Sequence, residues 1–88
     1  MASFYKLDPS KSFLKDLKKI PASVRPRIKS NLLDLKKDPH TGKDLKKLTN
    51  VKIGRWRLRI GDHRLRYDII GKDVHLHLIR HRKDIYRK

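Results

Sequence analysis

No cysteine occurs in the 88 residues, which excludes a disulfide framework and any thiolate metal site and makes a reducing cytoplasm the expected compartment. Glutamate is missing as well, because all nine acidic residues are aspartate. The commonest carboxylate base is therefore unavailable to a catalytic scheme, and no pair of acids stands out for acid/base work. No stretch approaches the roughly 18 apolar residues of a membrane span, and Met1 to Lys6 has no apolar run of the signal-peptide kind. There is no glycine-rich phosphate loop, internal repeat or low-complexity segment. Ser3, Ser10, Ser12, Ser23 and Ser30 all fall in the first half, mostly at helix-cap or helix-surface positions, so a serine nucleophile finds no support.

What the chain has in excess is positive charge: 25 Lys and Arg against nine Asp give a net of +16 and a pI near 10.6. Such an imbalance opposes compaction by self-repulsion, which points to an electrostatic task such as attracting a polyphosphate or an acidic protein. Only 36% of residues are hydrophobic, but they recur periodically, so a folded domain with a thin core is expected rather than a disordered polyelectrolyte.

Ala2 to Leu7 alternates as a short strand, with Phe4 on one face and Ser3 and Tyr5 on the other. Asp8-Pro9-Ser10 reads as a helix start. Phe13, Leu17 and Ile20 follow at helical spacing, with Leu14 beside them and Lys11, Lys15, Asp16, Lys18 and Lys19 facing water. Pro21 ends that helix. A second is expected to be capped by Ser23, with Pro26 in its first turn and Val24, Ile28, Leu32 and Leu35 on its apolar face. His40 to Asn50 reads as a loop. Beyond it the period becomes two: Trp56, Leu58 and Ile60, then Leu65, Tyr67 and Ile69, then Val74, Leu76 and Leu78, with turns at Gly61-Asp62 and Gly71-Lys72. The expectation is a single α+β domain over residues 1–88. A helical hairpin packs on one face of a small antiparallel-rich sheet, in the order β-α-α-β-β-β.

Strand alternation sends Arg55, Arg57 and Arg59 away from the helices, with Arg64 and Arg66 beside them. A charged strand face often does no more than meet water. Here, however, the helices use Lys almost throughout and the sheet uses Arg, the planar bidentate donor suited to phosphate. Trp56, by its parity, belongs with Leu58 and Ile60 in the core. His63, His75, His77 and His81 cluster late in the chain. His75 and His77 have a spacing that can ligate a metal, but no third ligand accompanies them and the facing arginines disfavour a cation, so neither metal nor cofactor is assigned.

Three segments in order resemble the RelE/ParE toxin superfamily: Lys47-Leu48 through Gly54-Arg55-Trp56-Arg57-Leu58-Arg59-Ile60-Gly61, then His63-Arg64-Leu65-Arg66-Tyr67, then His81-Arg82-Lys83-Asp84-Ile85-Tyr86. With the helical hairpin that precedes the sheet, the resemblance covers nearly the whole chain. It implies a toxin partnered by a small acidic RelB-like antitoxin. In the RelE branch it implies a metal-independent ribonuclease that cuts mRNA on the ribosome by attack of a ribose 2′-hydroxyl on the adjacent phosphate. By position, Arg57 and Arg59 match the two basic strand residues of RelE enzymes, where lysines are usual. Arg64 matches the third-strand arginine, Arg80 or Arg82 the arginine near the end of the last strand, and Tyr86 the terminal tyrosine. Arginine does not deprotonate in a protein, so Arg57 and Arg59 can clamp but cannot abstract a proton. Tyr86, His81 and His63 remain as candidates for the base. Two other functions compete: a ParE-like toxin directed at DNA gyrase, and a non-catalytic basic protein that tracks RNA phosphate on the ribosome.

Overall fold

In the computed structural model, which describes residues 4–85 apart from 43, and of 84 and 85 the backbone, Ser10 opens the first helix. Its backbone is extended and its hydroxyl accepts the Phe13 amide, the arrangement of a helix N-cap. Helix α1 runs from Lys11 to Lys18. Asp8 and Pro9, expected to begin this helix, instead end strand β1, Lys6–Pro9. Residues 2 and 3 of the expected Ala2–Leu7 strand lie outside the described residues. The strand sits later because its pairing is set by tertiary contact rather than by its own alternation. It runs parallel to the last strand, from Lys6 opposite Asp73 to Pro9 opposite Leu76.

Helix α2, Arg25–Lys37, begins one residue later than a Ser23 cap would place it. Val24 occupies the N-cap with helical backbone angles and no side-chain cap, because the turn closed by the Val24 amide on the Pro21 carbonyl leads directly into the helix. Pro26 falls in the first turn, where no intrahelical amide bond is lost. Arg25 reaches back to the carbonyls of Ile20 and Lys18 at 3.2 Å each, supplying donors to the C-terminal end of α1.

The remaining strands are β2 (Leu45–Lys47), β3 (Trp56–Ile60), β4 (His63–Ile70) and β5 (Asp73–His81), followed by the short helix α3 (Arg82–Ile85). Strand β2 corrects the expectation of an unbroken loop from His40 to Asn50. Three residues are too few to display a period, and Lys46 and Lys47 are the charged residues that edge strands commonly carry. Among the described residues the sheet order is β1-β5-β4-β3-β2, antiparallel throughout except for β1 against β5. At the β3–β4 turn Gly61 has φ +61°, a conformation that only glycine adopts readily.

The pairing of β4 with β5 slips by one residue between Arg66 and Tyr67, leaving His77 as the extra residue of a bulge. The slip reverses the parity of β5 beyond that point. Ile79, not Leu78, therefore enters the core, while Leu78 and Arg80 turn to the far face. Phe13, Ile20, Ile28 and Leu35 from the helical layer meet Leu58, Ile60, Leu65, Tyr67, Val74, Leu76 and Ile79 from the sheet. Trp56 packs against this core, as its parity predicts. The Tyr67 hydroxyl donates to the Pro39 carbonyl at 2.7 Å, and burial holds the phenol above its ordinary pKa.

Asp16 was expected to face water and does not. It is 9% exposed, and its Oδ2 accepts the Ile79 amide and the Arg80 Nε. Strand β1 ends beside Leu76, so beyond that point the edge of β5 that faces away from β4 has no strand neighbour. Helix α1 fills that role with side chains: the Ser10 hydroxyl donates to the His77 carbonyl, and the Asp16 carboxylate takes the Ile79 amide.

Phe13 is 2% exposed and Leu14 45% exposed on the same helix. Phe13→Ala is expected to lower unfolding free energy by about 3–5 kcal/mol, and Leu14→Ala to change it far less. Urea denaturation of the two variants checks both; equal losses would place the core elsewhere.

Candidate functional site

The register places guanidinium groups in rows across the outer face of the sheet. Arg59 lies opposite Arg64, and Arg64 opposite Arg80; one row further along, Lys46, Arg57 and Arg66 are successive neighbours, with Leu78 beyond them. Facing side chains on adjacent strands start about 5 Å apart, so these cations repel unless something else holds them.

Backbone oxygens hold some of them. Arg64 is 7% exposed, and its Nη1 donates to the carbonyls of Gly61 and His63 at 3.1 Å each, so its charge is folded onto the β3–β4 turn. Arg66 donates through Nε to the Gly54 carbonyl at 2.6 Å and through Nη2 to that of Ile53. Gly54 has φ +67°, and a Cβ there would come within 3.1 Å of the Arg66 Cβ, so glycine allows this close approach. Arg55 precedes β3 rather than joining it, and bonds the Val51 carbonyl. Arg80 is tied to Asp16, the one Lys or Arg ion pair among the described residues.

Arg57 and Arg59 differ from these. The Arg57 side chain is half-buried, and its Nε is buried and has no hydrogen-bond partner among the described residues. A buried donor left without a partner costs about 1–3 kcal/mol. Arg59 is exposed, and among the described residues no acceptor engages its guanidinium. The centre of the face therefore offers donors and almost no counter-charge, an arrangement suited to a polyanion.

The histidines divide between the two faces. His63 and His81 pair across β4 and β5 on the helix side, with rings edge-on at 5.4 Å. They line an open cleft of about 280 Å³ with Asp16, Lys19, Ile20 and Arg80. The His81 Nδ1 accepts the Lys83 amide at 3.2 Å, which in the neutral ring leaves the proton on Nε2. Arg82, at the start of α3, is exposed and is anchored by its amide on the Asp62 carbonyl. Tyr86 lies outside the described residues. The register thus groups Arg57, Arg59, Arg64 and Arg80 on one face and sets the His81 ring on the other, while the Arg80 guanidinium, bound to Asp16, also lines the His81 cleft.

Two residues that sequence reasoning left unassigned meet on the arginine face. Asp68 accepts the amides of Gly54 and Arg55 at 2.7 and 2.9 Å, and its Oδ2 lies 2.8 Å from the His77 Nε2. Burial works to raise the Asp68 pKa, but the amides of Arg55 and Gly54 and the His77 ring favour the charged form more strongly, so it is held below its ordinary value. His75 is paired separately, its Nδ1 3.0 Å from Asp8 Oδ2. Alternation put His77 on the outer face, and the structure agrees. Nothing in the sequence indicated that a carboxylate from β4 would meet it.

Comparison with known proteins gives consistent likenesses. Residues 7–86 match the family model described as the ParE toxin of the type II toxin-antitoxin system parDE. The protein named Toxin RelE3 from Methanocaldococcus jannaschii is 34% identical over 86 residues, covering 88% of this chain and 90% of that protein. The crystal structure of a RelB-RelE antitoxin-toxin complex from Methanococcus jannaschii superposes with a TM-score of 0.77 at 28% identity, covering 90% of this chain and 94% of that one. An archaeal RelE-RelB complex from Pyrococcus horikoshii shares the fold at a TM-score of 0.76 and 23% identity, over 93% of this chain and 97% of its own.

Asp68 supplies the pH-dependent prediction. Because its folded pKa is depressed, its stabilising contribution is complete above the unfolded value of about 3.9 and is lost as pH falls through the folded value. Asp68→Asn should be less stable than the wild type by about 1–3 kcal/mol near neutrality, and the gap should close in acid. Denaturant melts from pH 7 down to pH 3 read this directly; a gap that stays constant in acid would contradict it.

Proposed function

The chain belongs to the RelE/ParE superfamily of toxins from type II toxin-antitoxin systems, and we propose that it is a metal-independent endoribonuclease that cuts mRNA on the ribosome through the arginine face of its sheet. The observation that carries this reading is the row of neighbouring cations Lys46, Arg57 and Arg66 across the outer face, with Arg59 beside them and almost no counter-charge. Phosphate oxygens are the acceptors that such a row of donors suits. The reaction is attack of a ribose 2′-oxygen on the neighbouring phosphorus, with departure of the 5′-oxygen and a 2′,3′-cyclic phosphate left behind. Negative charge grows on the phosphoryl oxygens, and fixed guanidiniums stabilise it without reorganising. Arg57 and Arg59 clamp the phosphate, and Arg80, held by Asp16, flanks it. Arg64 is turned onto the backbone and shapes the face from beneath. Arg82, His81 and Tyr86 remain candidates for contact with RNA from the C-terminal end.

A RelB-like antitoxin is the partner this membership supports, as in the complexes of the archaeal relatives. With +16 on the toxin, its association with an acidic antitoxin should slow and weaken as salt rises. Stopped-flow association across ionic strength tests this, and a salt-independent rate would remove the electrostatic part of the argument. The matched family model carries the ParE name, which favours gyrase inhibition as the second reading. A supercoiling assay run beside a programmed-ribosome cleavage assay separates the two.

Arg57→Ala and Arg59→Ala should each lower single-turnover cleavage by about 100- to 1000-fold while leaving ribosome affinity nearly intact, because only interactions that strengthen in the transition state accelerate chemistry. Lys18→Ala, on the far side of the fold, should change only salt-sensitive binding. Arginine variants that bind poorly but cut normally at saturation would make the face a docking surface.

A further inference from the structure

The cleavage proposed above needs a group to accept the 2′-proton, and the arginines cannot. The structure offers one that is independent of the C-terminal residues. His77 sits in the bulge of β5, on the same face as Arg57 and Arg66. Its Nε2 lies 2.8 Å from Asp68 Oδ2, and the carboxylate, fixed by two amides, is held ionised. An ionised carboxylate only accepts, so the facing ring nitrogen is the donor and the proton of the neutral imidazole resides on Nε2. Nδ1 then carries the lone pair. It has no partner among the described residues and is not buried, and 28% of the side chain remains accessible. A histidine oriented by a carboxylate through one nitrogen, with the other nitrogen free, is the arrangement used to accept protons in catalysis.

Alternation from His75 puts His77 on the arginine face, and the bulge brings Arg80 onto that face as well. Without the extra residue, His77 and Arg80 would fall on opposite sides of β5, because their positions differ by an odd number. With it, His77, Leu78 and Arg80 share the outer face, and His77 stands next to the Arg66–Leu78 pair. Arg57 is two strands away, at roughly 10 Å between backbones, a gap that the two side chains and a nucleotide can bridge.

We propose that His77 is the general base of the cleavage reaction, with Asp68 as the positioning residue that fixes its tautomer and ring orientation. This rests on the ribonuclease reading given above. In the step, the 2′-hydroxyl proton passes to His77 Nδ1 as the 2′-oxygen forms its bond to phosphorus; the bond from phosphorus to the 5′-oxygen breaks, and the leaving oxygen takes a proton from solvent water. The resulting imidazolium is stabilised by Asp68 and returns its proton to solvent. The charged and titratable groups around the ring are Asp68 and Arg66 from β4, and His75, paired to Asp8 of β1, and Arg80 from β5.

The test is single-turnover cleavage of mRNA on programmed ribosomes as a function of pH, with wild type, His77→Ala, His77→Gln and the neighbouring His75→Ala. Thermal melting of each variant and its binding to the antitoxin report folding. His77→Ala and His77→Gln should cut about 100-fold more slowly or worse, lose the acidic limb of the pH–rate profile, and, in the alanine variant, recover activity with added imidazole. His75→Ala should stay near the wild-type rate. A folded His77→Ala that cuts at the wild-type rate with an unchanged profile overturns the role of His77 and leaves the ribonuclease reading standing. Slow cleavage with an unchanged pH limb and no imidazole rescue also overturns it, since that pattern belongs to a structural residue. If the wild type itself leaves RNA intact, the ribonuclease reading fails and His77 has no proton to accept.

Discussion

One extra residue in β5 governs the arrangement of both faces of the sheet. Before His77, Val74 and Leu76 point to the helices; after it, Ile79 does. A strand with a strict period of two would have had to bury Arg80 or expose Ile79, and either change would leave the thin core short of apolar area or burden it with a charge. The bulge resolves the conflict locally. Because β1 ends beside Leu76, the carbonyl of His77 and the amide of Ile79 lie on an edge that no strand covers, and α1 meets that demand with Ser10 and Asp16. The burial of an aspartate follows from that edge, and the composition of the outer face from the slip.

Scarcity of negative charge is the second constraint. With nine aspartates for 25 cations, the fold cannot neutralise its surface, and the acids it has are used locally. Asp16 holds the edge of β5 and Arg80, Asp68 gathers two amides and a histidine, and Asp38 accepts the Thr41 hydroxyl and the His40 amide after α2, interactions that hold its carboxyl below the ordinary range. Apart from Arg80, the outer-face guanidiniums that are held at all are held by backbone carbonyls, which orient them without cancelling their charge. The result is a positive surface whose geometry is fixed, a costly arrangement for an isolated protein and a useful one for a protein that must seize a polyanion or an acidic partner.

The α+β layering, the helical hairpin, the three long strands and the arginine face were legible from the sequence, because each rests on a local period: 3.6 for Phe13, Leu17 and Ile20, and two for Trp56, Leu58 and Ile60. The family resemblance was legible for the same reason, since its motifs lie on those strands. What the sequence could not determine lies where a residue answers to a partner distant in the chain. Strand β2 forms because β3 supplies a template, and β1 is positioned by its parallel neighbour β5. Asp16 reads as a solvated helix residue until an amide 63 positions away needs an acceptor. The choice of Ile79 over Leu78 depends on a register slip that leaves no mark on either strand alone, and the meeting of His77 with Asp68 depends on how β4 and β5 pair. Local sequence thus determined the elements and the chemistry they carry. Only the tertiary register decided which groups face one another, because that register is set by hydrogen bonds between strands distant in the chain and not by the period of any one strand.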